Sequence, residues 1–324
     1  MYKVATLFAG CGGGCLGIMG GFNYLDIPYS RRNTEIVFAN EWDKYACQTY
    51  RFNFGNNSLT EGDICNIPSK DIPNFDILTA GFPCQSFSFA GKRKGIEDAR
   101  GMLFMQVARV LKEKQPLAFI CENVAGILSS NGGADFRIIH KTIKECGYDI
   151  FFKVLNAANY GVPQKRRRLF MIGFSSDLDS RNFTFPSPLP EPVPLKAVIE
   201  ADVAQRYYFS DKSVAGALAA IKRTGIRKLN AANIELPCPT LTLNLHKSTC
   251  QSTDHIVKLG DKYRRFTVLE AQRIQSFPDS FMFPVSASQA YKQIGNAIPP
   301  LLMWHILNSV LSVLPKQKSN ELHF

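Results

Sequence analysis

An apolar run, Val4-Ala5-Thr6-Leu7-Phe8, passes without a break into Ala9-Gly10-Cys11-Gly12-Gly13-Gly14-Cys15-Leu16-Gly17-Ile18. Strand, glycine turn, helix is the order expected at a nucleotide-type pocket. The glycines let backbone approach a ligand closely, and the following helix offers unpaired N–H groups to a carboxylate or phosphate. Open α/β sheets place nucleotide-type pockets at such a turn, although a glycine-rich turn also serves plain tight packing. The pattern recurs. Ile36-Val37-Phe38-Ala39 ends in Asn40-Glu41-Trp42-Asp43, where an acid suits ribose hydroxyls and Trp42 suits an adenine face. Gly62-Asp63-Ile64 adds another small acidic turn, for the adenine edge.

Two further runs end in reactive groups. Phe75-Asp76 leads into Ile77-Leu78-Thr79-Ala80 and then Gly81-Phe82-Pro83-Cys84-Gln85-Ser86-Phe87-Ser88, a cysteine set behind a proline where a buried strand opens into a loop. Leu117-Ala118-Phe119-Ile120-Cys121 delivers Glu122-Asn123-Val124. A strand-end thiol beside a strand-end carboxylate is a catalytic arrangement; taken singly, they read as a buried apolar cysteine and a helix cap. Helices are expected over Met102 to Lys112 and Asp135 to Cys146, and a strand over Phe151 to Leu155. Gln164-Lys165-Arg166-Arg167-Arg168 precedes another apolar run, so alternation puts Gln164, Arg166 and Arg168 on one face of a strand entry.

From Phe185 alternating prolines mark a domain boundary. Beyond it, Ser210 or Asp211 caps a helix through Val214, Leu218 and Ile221 that Gly225 closes. Residues 226 to 262 are irregular and polar, with short β-like pieces around Pro239 to Leu243. Thr267-Val268-Leu269-Glu270 has capping-box spacing and opens a helix. Gln293-Ile294-Gly295-Asn296-Ala297-Ile298-Pro299-Pro300 then leads into an apolar helix over Leu301 to Leu314 that must be buried. The formal charge of +11 fits a polyanionic partner, without separating nucleic acid from a membrane surface. Nine scattered cysteines without a CxxC pair favour neither zinc nor disulfides, and no secretory leader or membrane-length apolar run is seen, so a reducing cytoplasm fits best.

Together these stretches resemble the DNA cytosine-5 methyltransferases of bacterial restriction and modification systems, over Ala5 to Gly173 and Arg264 to Asn308. The resemblance implies an α/β fold: a Rossmann-like S-adenosylmethionine-dependent methyltransferase domain (1–185 plus 285–324) and a smaller, irregular, β-rich target recognition domain with its hinge (186–284). It implies S-adenosyl-L-methionine as cofactor, held by Phe8, Gly10, Gly12, Gly13, Glu41, Trp42, Asp63, Ile64 and Asn296, with no metal. Cys84 matches the nucleophile, Glu122 the catalytic acid, and Gln164, Arg166 and Arg168 the third active-site motif. A lid over Ser86 to Arg100 is expected to close on a flipped base. DNA contacts are expected from Gln85, Ser88, Lys92, Arg93, Gln164, Thr240 and Leu241. The implied partner is duplex DNA, with no membrane, a monomeric chain, and functional pairing with a restriction endonuclease without a physical complex. One departure is Thr6, where the family commonly has an acid. Cytosine-5 methylation of transfer RNA would use the same motifs; a Rossmann oxidoreductase would want GxGxxG, and a regulator without catalysis would not need Cys84, Glu122 and Arg168.

Overall fold

The computed structural model describes residues 1–82, 102–225, 229–250, 252 and 254–316. The apolar runs become strands β1 (Tyr2–Leu7), β2 (Thr34–Glu41), β3 (Leu59–Glu61), β4 (Ile77–Ala80), β5 (Ala118–Val124), β6 (Tyr148–Asn156) and β7 (Arg167–Ser175). They form one seven-stranded sheet in the order β3-β2-β1-β4-β5-β7-β6. All its pairings are parallel except those of β7, which runs antiparallel to both β5 and β6. Order reverses at β1, whose neighbours are β2 and β4, so the crevice at the carboxyl ends of β1, β2 and β4 is the topological switch point where such sheets take ligands.

Helices cover both faces because side chains alternate along buried strands. Ala5, Leu78 and Phe119 pack with Phe104, Val107 and Leu111 of α3 (Met102–Lys114) and Ile139 and Ile143 of α4 (Ala134–Glu145). Their neighbours Val4, Ile77 and Ile120 face the other way, onto Leu302, Ile306 and Val310 of α8 (Pro300–Leu311). The expected terminal apolar helix is therefore buried against the sheet. It also lies across α1 (Gly13–Met19) so closely that a Cβ on Gly17 would stand 2.3 Å from the Pro300 carbonyl.

The segment after Phe185 builds its own core from Leu195, Val198, Cys238, Leu241, Val257 and Phe266, closed by Ile274 of α6 (Val268–Ile274) and Ile294 of α7 (Ala287–Asn296). Helix α5 (Asp211–Thr224) is capped as its sequence implies, by the Ser210 hydroxyl at one end and left-handed Gly225 at the other. The β-like stretch around Pro239 is shorter than expected: only Cys238–Pro239 is strand, paired in parallel with Gln164–Lys165. Val257–Leu259 and Lys262–Arg264 add a short antiparallel ladder, so irregular backbone dominates here and extended sheet does not.

Thr267 and Glu270 form the expected capping box, but Glu270 does more than cap. Its carboxylate takes both Arg264 Nη atoms at 2.6 and 2.7 Å and the Glu200 N–H at 2.9 Å, with Arg264 and Glu270 at most 1% exposed. Removing one partner strands the other charge away from water. Arg264→Met is therefore expected to lower the unfolding free energy by about 3–5 kcal/mol in a urea titration.

Candidate active site

At the switch point, β1 turns through Phe8, a non-glycine residue held at φ 57°, in the left-handed region. That conformation costs on the order of 1–3 kcal/mol and persists only where the surrounding structure imposes it. Glu41, at the end of β2, fixes the neighbouring loop: its carboxylate accepts N–H bonds from Gly10 at 2.8 Å, Trp42 at 2.9 Å and Asp43 at 2.8 Å. Trp42 beside it is 76% exposed, an uncovered aromatic face on the rim of the crevice. Asp43 caps α2 (Lys44–Phe54) and pairs with Lys292 of α7 at 2.7 Å. Asp63 accepts the Cys65 N–H at 2.9 Å; Ile64 turns its side chain into the core.

The far wall comes from the other end of the chain. Asn296 ends α7 exposed, and the next residues press on the glycine turn, where a Cβ at Gly13 would sit 2.7 Å from the Ile298 carbonyl. Thr6 points into the protein: its hydroxyl meets Thr79 Oγ1 at 2.8 Å and accepts the Cys15 thiol at 3.6 Å. Two neutral hydroxyls on adjacent strands satisfy each other where an acid would need a cation or water.

One strand further on, Ala80 of β4 lies level with Cys121 of β5, which brings Gly81 to the side of Glu122; a Cβ on Gly81 would lie 3.8 Å from Glu122 Oε2. Antiparallel β7 delivers Arg168 opposite Val124, and its Nε meets Glu122 Oε1 at 3.1 Å. Burial holds the Glu122 carboxyl above the ordinary carboxylate range, opposed by the nearby Arg166 and Arg168 charges. Burial, and then Arg168, pushes the Arg166 guanidinium down, while Glu122 pulls it up. Arg166 is itself buried and donates to the Gly295 carbonyl at 2.9 Å.

Burial alternates as expected, with Gln164 and Arg166 buried and Arg168 half-buried between exposed Lys165 and Arg167, but their surroundings differ. Gln164, expected at DNA, is fully buried with its amide engaged by the protein, because Cys238–Pro239 adds as a strand beside it and covers it. Leu241 is buried too, and the Thr240 hydroxyl donates to the Lys165 carbonyl at 2.7 Å. Cys84, Gln85, Ser88, Lys92 and Arg93, with the expected lid over 86–100, lie outside the described residues. Sequence reasoning passed over Asn123, which donates to the Phe82 carbonyl at 3.1 Å while accepting the Val124 N–H, and so ties the approach to Cys84 to the strand that carries Glu122. It also passed over Thr79, although a hydroxyl inside a four-residue buried strand is a readable anomaly.

The family described as C-5 cytosine-specific DNA methylase matches residues 2–312. The chain is 40% identical to the Type II methyltransferase M.NgoBI of Neisseria gonorrhoeae, over 92% of this chain and 89% of that one. It is 37% identical to M.SsoII of Shigella sonnei (97% and 81%) and 35% identical to M.HhaI of Haemophilus parahaemolyticus (96% and 95%). A crystal structure of a Spodoptera frugiperda DNMT2 mutant shares the fold at TM-score 0.75 and 21% identity, covering 96% of this chain and all of that one.

Proposed function

Since the chain belongs to the C-5 cytosine-specific DNA methylases, and is a DNA (cytosine-5-)-methyltransferase similar along most of its length to Type II restriction-modification enzymes, we propose which of its residues carry that reaction. The observation that carries the assignment is the meeting of Gly81, three residues before Cys84, with the Glu122–Arg168 pair on neighbouring strands.

Cytosine C5 is a weak nucleophile until something adds at C6. Cys84 supplies a soft thiolate for that addition, and the bond it makes can later be broken. As it adds, charge moves through N3 and O2. Glu122, whose pKa burial raises, is proposed to give N3 a proton, and Arg168 to donate to O2. S-adenosylmethionine, when bound, supplies the electrophilic methyl group that the activated C5 takes. A base then takes the C5 proton, and the electron pair left at C5 expels the Cys84 thiolate from C6. The target base must be outside the stack for these contacts to form.

Phe8, Gly10, Gly12, Gly13, Glu41, Trp42, Asp63, Ile64 and Asn296 are proposed to hold that cofactor. The strained turn at Phe8, the loop amides ordered by Glu41 and the bare Trp42 face fit a molecule with an adenosyl group and a charged amino-acid end. Glu41→Ala is expected to weaken S-adenosylmethionine binding in calorimetry by about 10- to 100-fold, since hydrogen bonds to a charged group contribute roughly 1.5–3 kcal/mol each. Undiminished affinity in a folded variant removes the assignment.

On the DNA side we place Gln85, Ser88, Lys92 and Arg93 with the 238–242 segment that Gln164 seats, and the choice of target sequence in residues 186–262. The chemistry needs the same cytosine atoms whatever the flanking bases. Exchanging that block for the one from a relative of different specificity is expected to move the methylated cytosine on a plasmid to the donor's site. Continued methylation of the original site would count against the division. Incubating the wild-type chain with plasmid and cofactor, then mapping methylated cytosines, tests the activity itself. In the cell the chain is proposed to act as a cytoplasmic monomer that protects DNA from a restriction endonuclease it does not bind.

A further inference from the structure

A line of amides crosses the junction between the three working parts of the protein. The Leu241 N–H donates to Gln164 Oε1 at 3.0 Å, Gln164 Nε2 donates to Gln275 Oε1, and Gln275 Nε2 donates to the Ala297 carbonyl. Gln164 and Gln275 are both 0% exposed. The polarity of this line is forced. A backbone N–H can only donate, so Gln164 must turn its oxygen to Leu241 and its nitrogen to Gln275; Gln275 must then turn its own nitrogen to Ala297, whose carbonyl can only accept. Neither amide can flip without leaving two buried groups of like kind facing each other.

The ends of the line matter. Leu241 follows Thr240, in the segment docked on Gln164–Lys165. Ala297 abuts the glycine turn, where a Cβ on Gly13 would stand 3.2 Å from the Ala297 Cβ. The same seam is closed a second time at Gly295, whose added Cβ would lie 2.6 Å from the Thr242 carbonyl. A shift of residues 240–242 therefore has little room to occur without moving residues 295–298, and those press on the cofactor loop.

We propose that Gln275 is a positioning residue that couples target recognition to the cofactor pocket, by fixing the distance between the Thr240-Leu241 segment and the 297–298 wall. The inference rests on the cofactor and recognition assignments above. It makes the two ligands thermodynamically linked: duplex that settles the 240–242 segment tightens the pocket, and the pocket's ligand tightens the duplex by the same factor.

Calorimetry with S-adenosylhomocysteine tests this, on the free protein and on protein saturated with a duplex containing the plasmid site that the wild-type chain methylates. The expected wild-type result is tightening of about 10-fold or more by the duplex, within the usual range of such couplings. Gln275→Glu keeps the shape but sets a carboxylate oxygen against the Ala297 carbonyl. Its coupling factor is expected to fall at least about fivefold, and its ratio of methylation rates on the site and on single-base variants to fall with it. A purely structural role would lower both rates alike and leave the ratio standing. Gln275→Met, which removes both polar ends, is read in the same way if the glutamate variant does not fold. An unchanged coupling factor in a folded variant overturns the proposal, as does wild-type protein that shows no coupling. Wild-type protein that does not bind S-adenosylhomocysteine at all overturns the cofactor assignment beneath it.

Discussion

Duplex DNA carrying 5-fluorocytosine at the target position is expected to stay joined to the wild-type chain through denaturation, in the presence of S-adenosylmethionine, and to leave no such complex with Cys84→Ala. The step order requires it. Addition at C6 and methylation at C5 can both proceed on the fluorinated ring, but release needs a proton at C5 that fluorine has replaced. With ordinary DNA the same substitution is expected to lower turnover by more than roughly 10⁴-fold, the scale of loss when a covalent nucleophile is removed. Cofactor affinity measured by calorimetry is expected to stay within a factor of about three, because the cysteine is assigned to the base. A trapped complex in the alanine variant, or wild-type turnover of the fluorinated duplex, would exclude the nucleophile role.

Glu122→Gln is expected to cost about 10²–10⁴-fold in single-turnover rate, the usual contribution of a positioned acid. The amide can still hydrogen-bond at N3 but cannot hand over a proton. The pH dependence gives a sharper reading. Burial raises the carboxyl's pKa, so the protonated form persists to higher pH than for an ordinary carboxyl, and activity that needs it declines as pH rises through the raised value. The thiolate of Cys84 works in the opposite direction and sets the acid limb. The alkaline decline is expected to vanish in Glu122→Gln while the acid limb remains; an unaltered profile would mean that the proton comes from another group. Stability follows the same sign. A folded-state pKa above the unfolded one favours folding most below the unfolded pKa, and that advantage is lost as pH climbs through the folded pKa. Denaturation midpoints should therefore depend less on pH in the glutamine variant over that window.

The parts legible in the sequence were those determined by neighbours in the chain. Short apolar runs ending in Glu41, Gly81 and Glu122 marked strands and their working ends, and Ser210, Gly225, Thr267 and Glu270 marked helix limits, because capping is chemistry within one turn. What stayed hidden depends on partners far along the chain. Nothing near Arg167 says that β7 slips in antiparallel between β5 and β6, yet that placement is what sets Arg168 on Glu122. Gln164 sits beside four basic residues and reads as surface; it is buried because Cys238–Pro239, more than seventy positions later, adds against it. The amide of Gln275 carries no local mark at all, since both its partners lie outside its own helix.

The close seating of α8 on α1 bears on how the enzyme is made. The glycine turn leaves the ribosome first, but its far wall, residues 295–298, and the helix that pins Gly17 follow nearly three hundred positions later. Contacts of that separation are among the slowest to form. A nascent chain can thus assemble most of its sheet while still lacking the far wall of the site proposed for the cofactor, so competence to modify DNA is expected to arrive as one of the last events of folding. A chain stalled in synthesis before residue 295 would be inert, and would have no means of marking a chromosome at the wrong place.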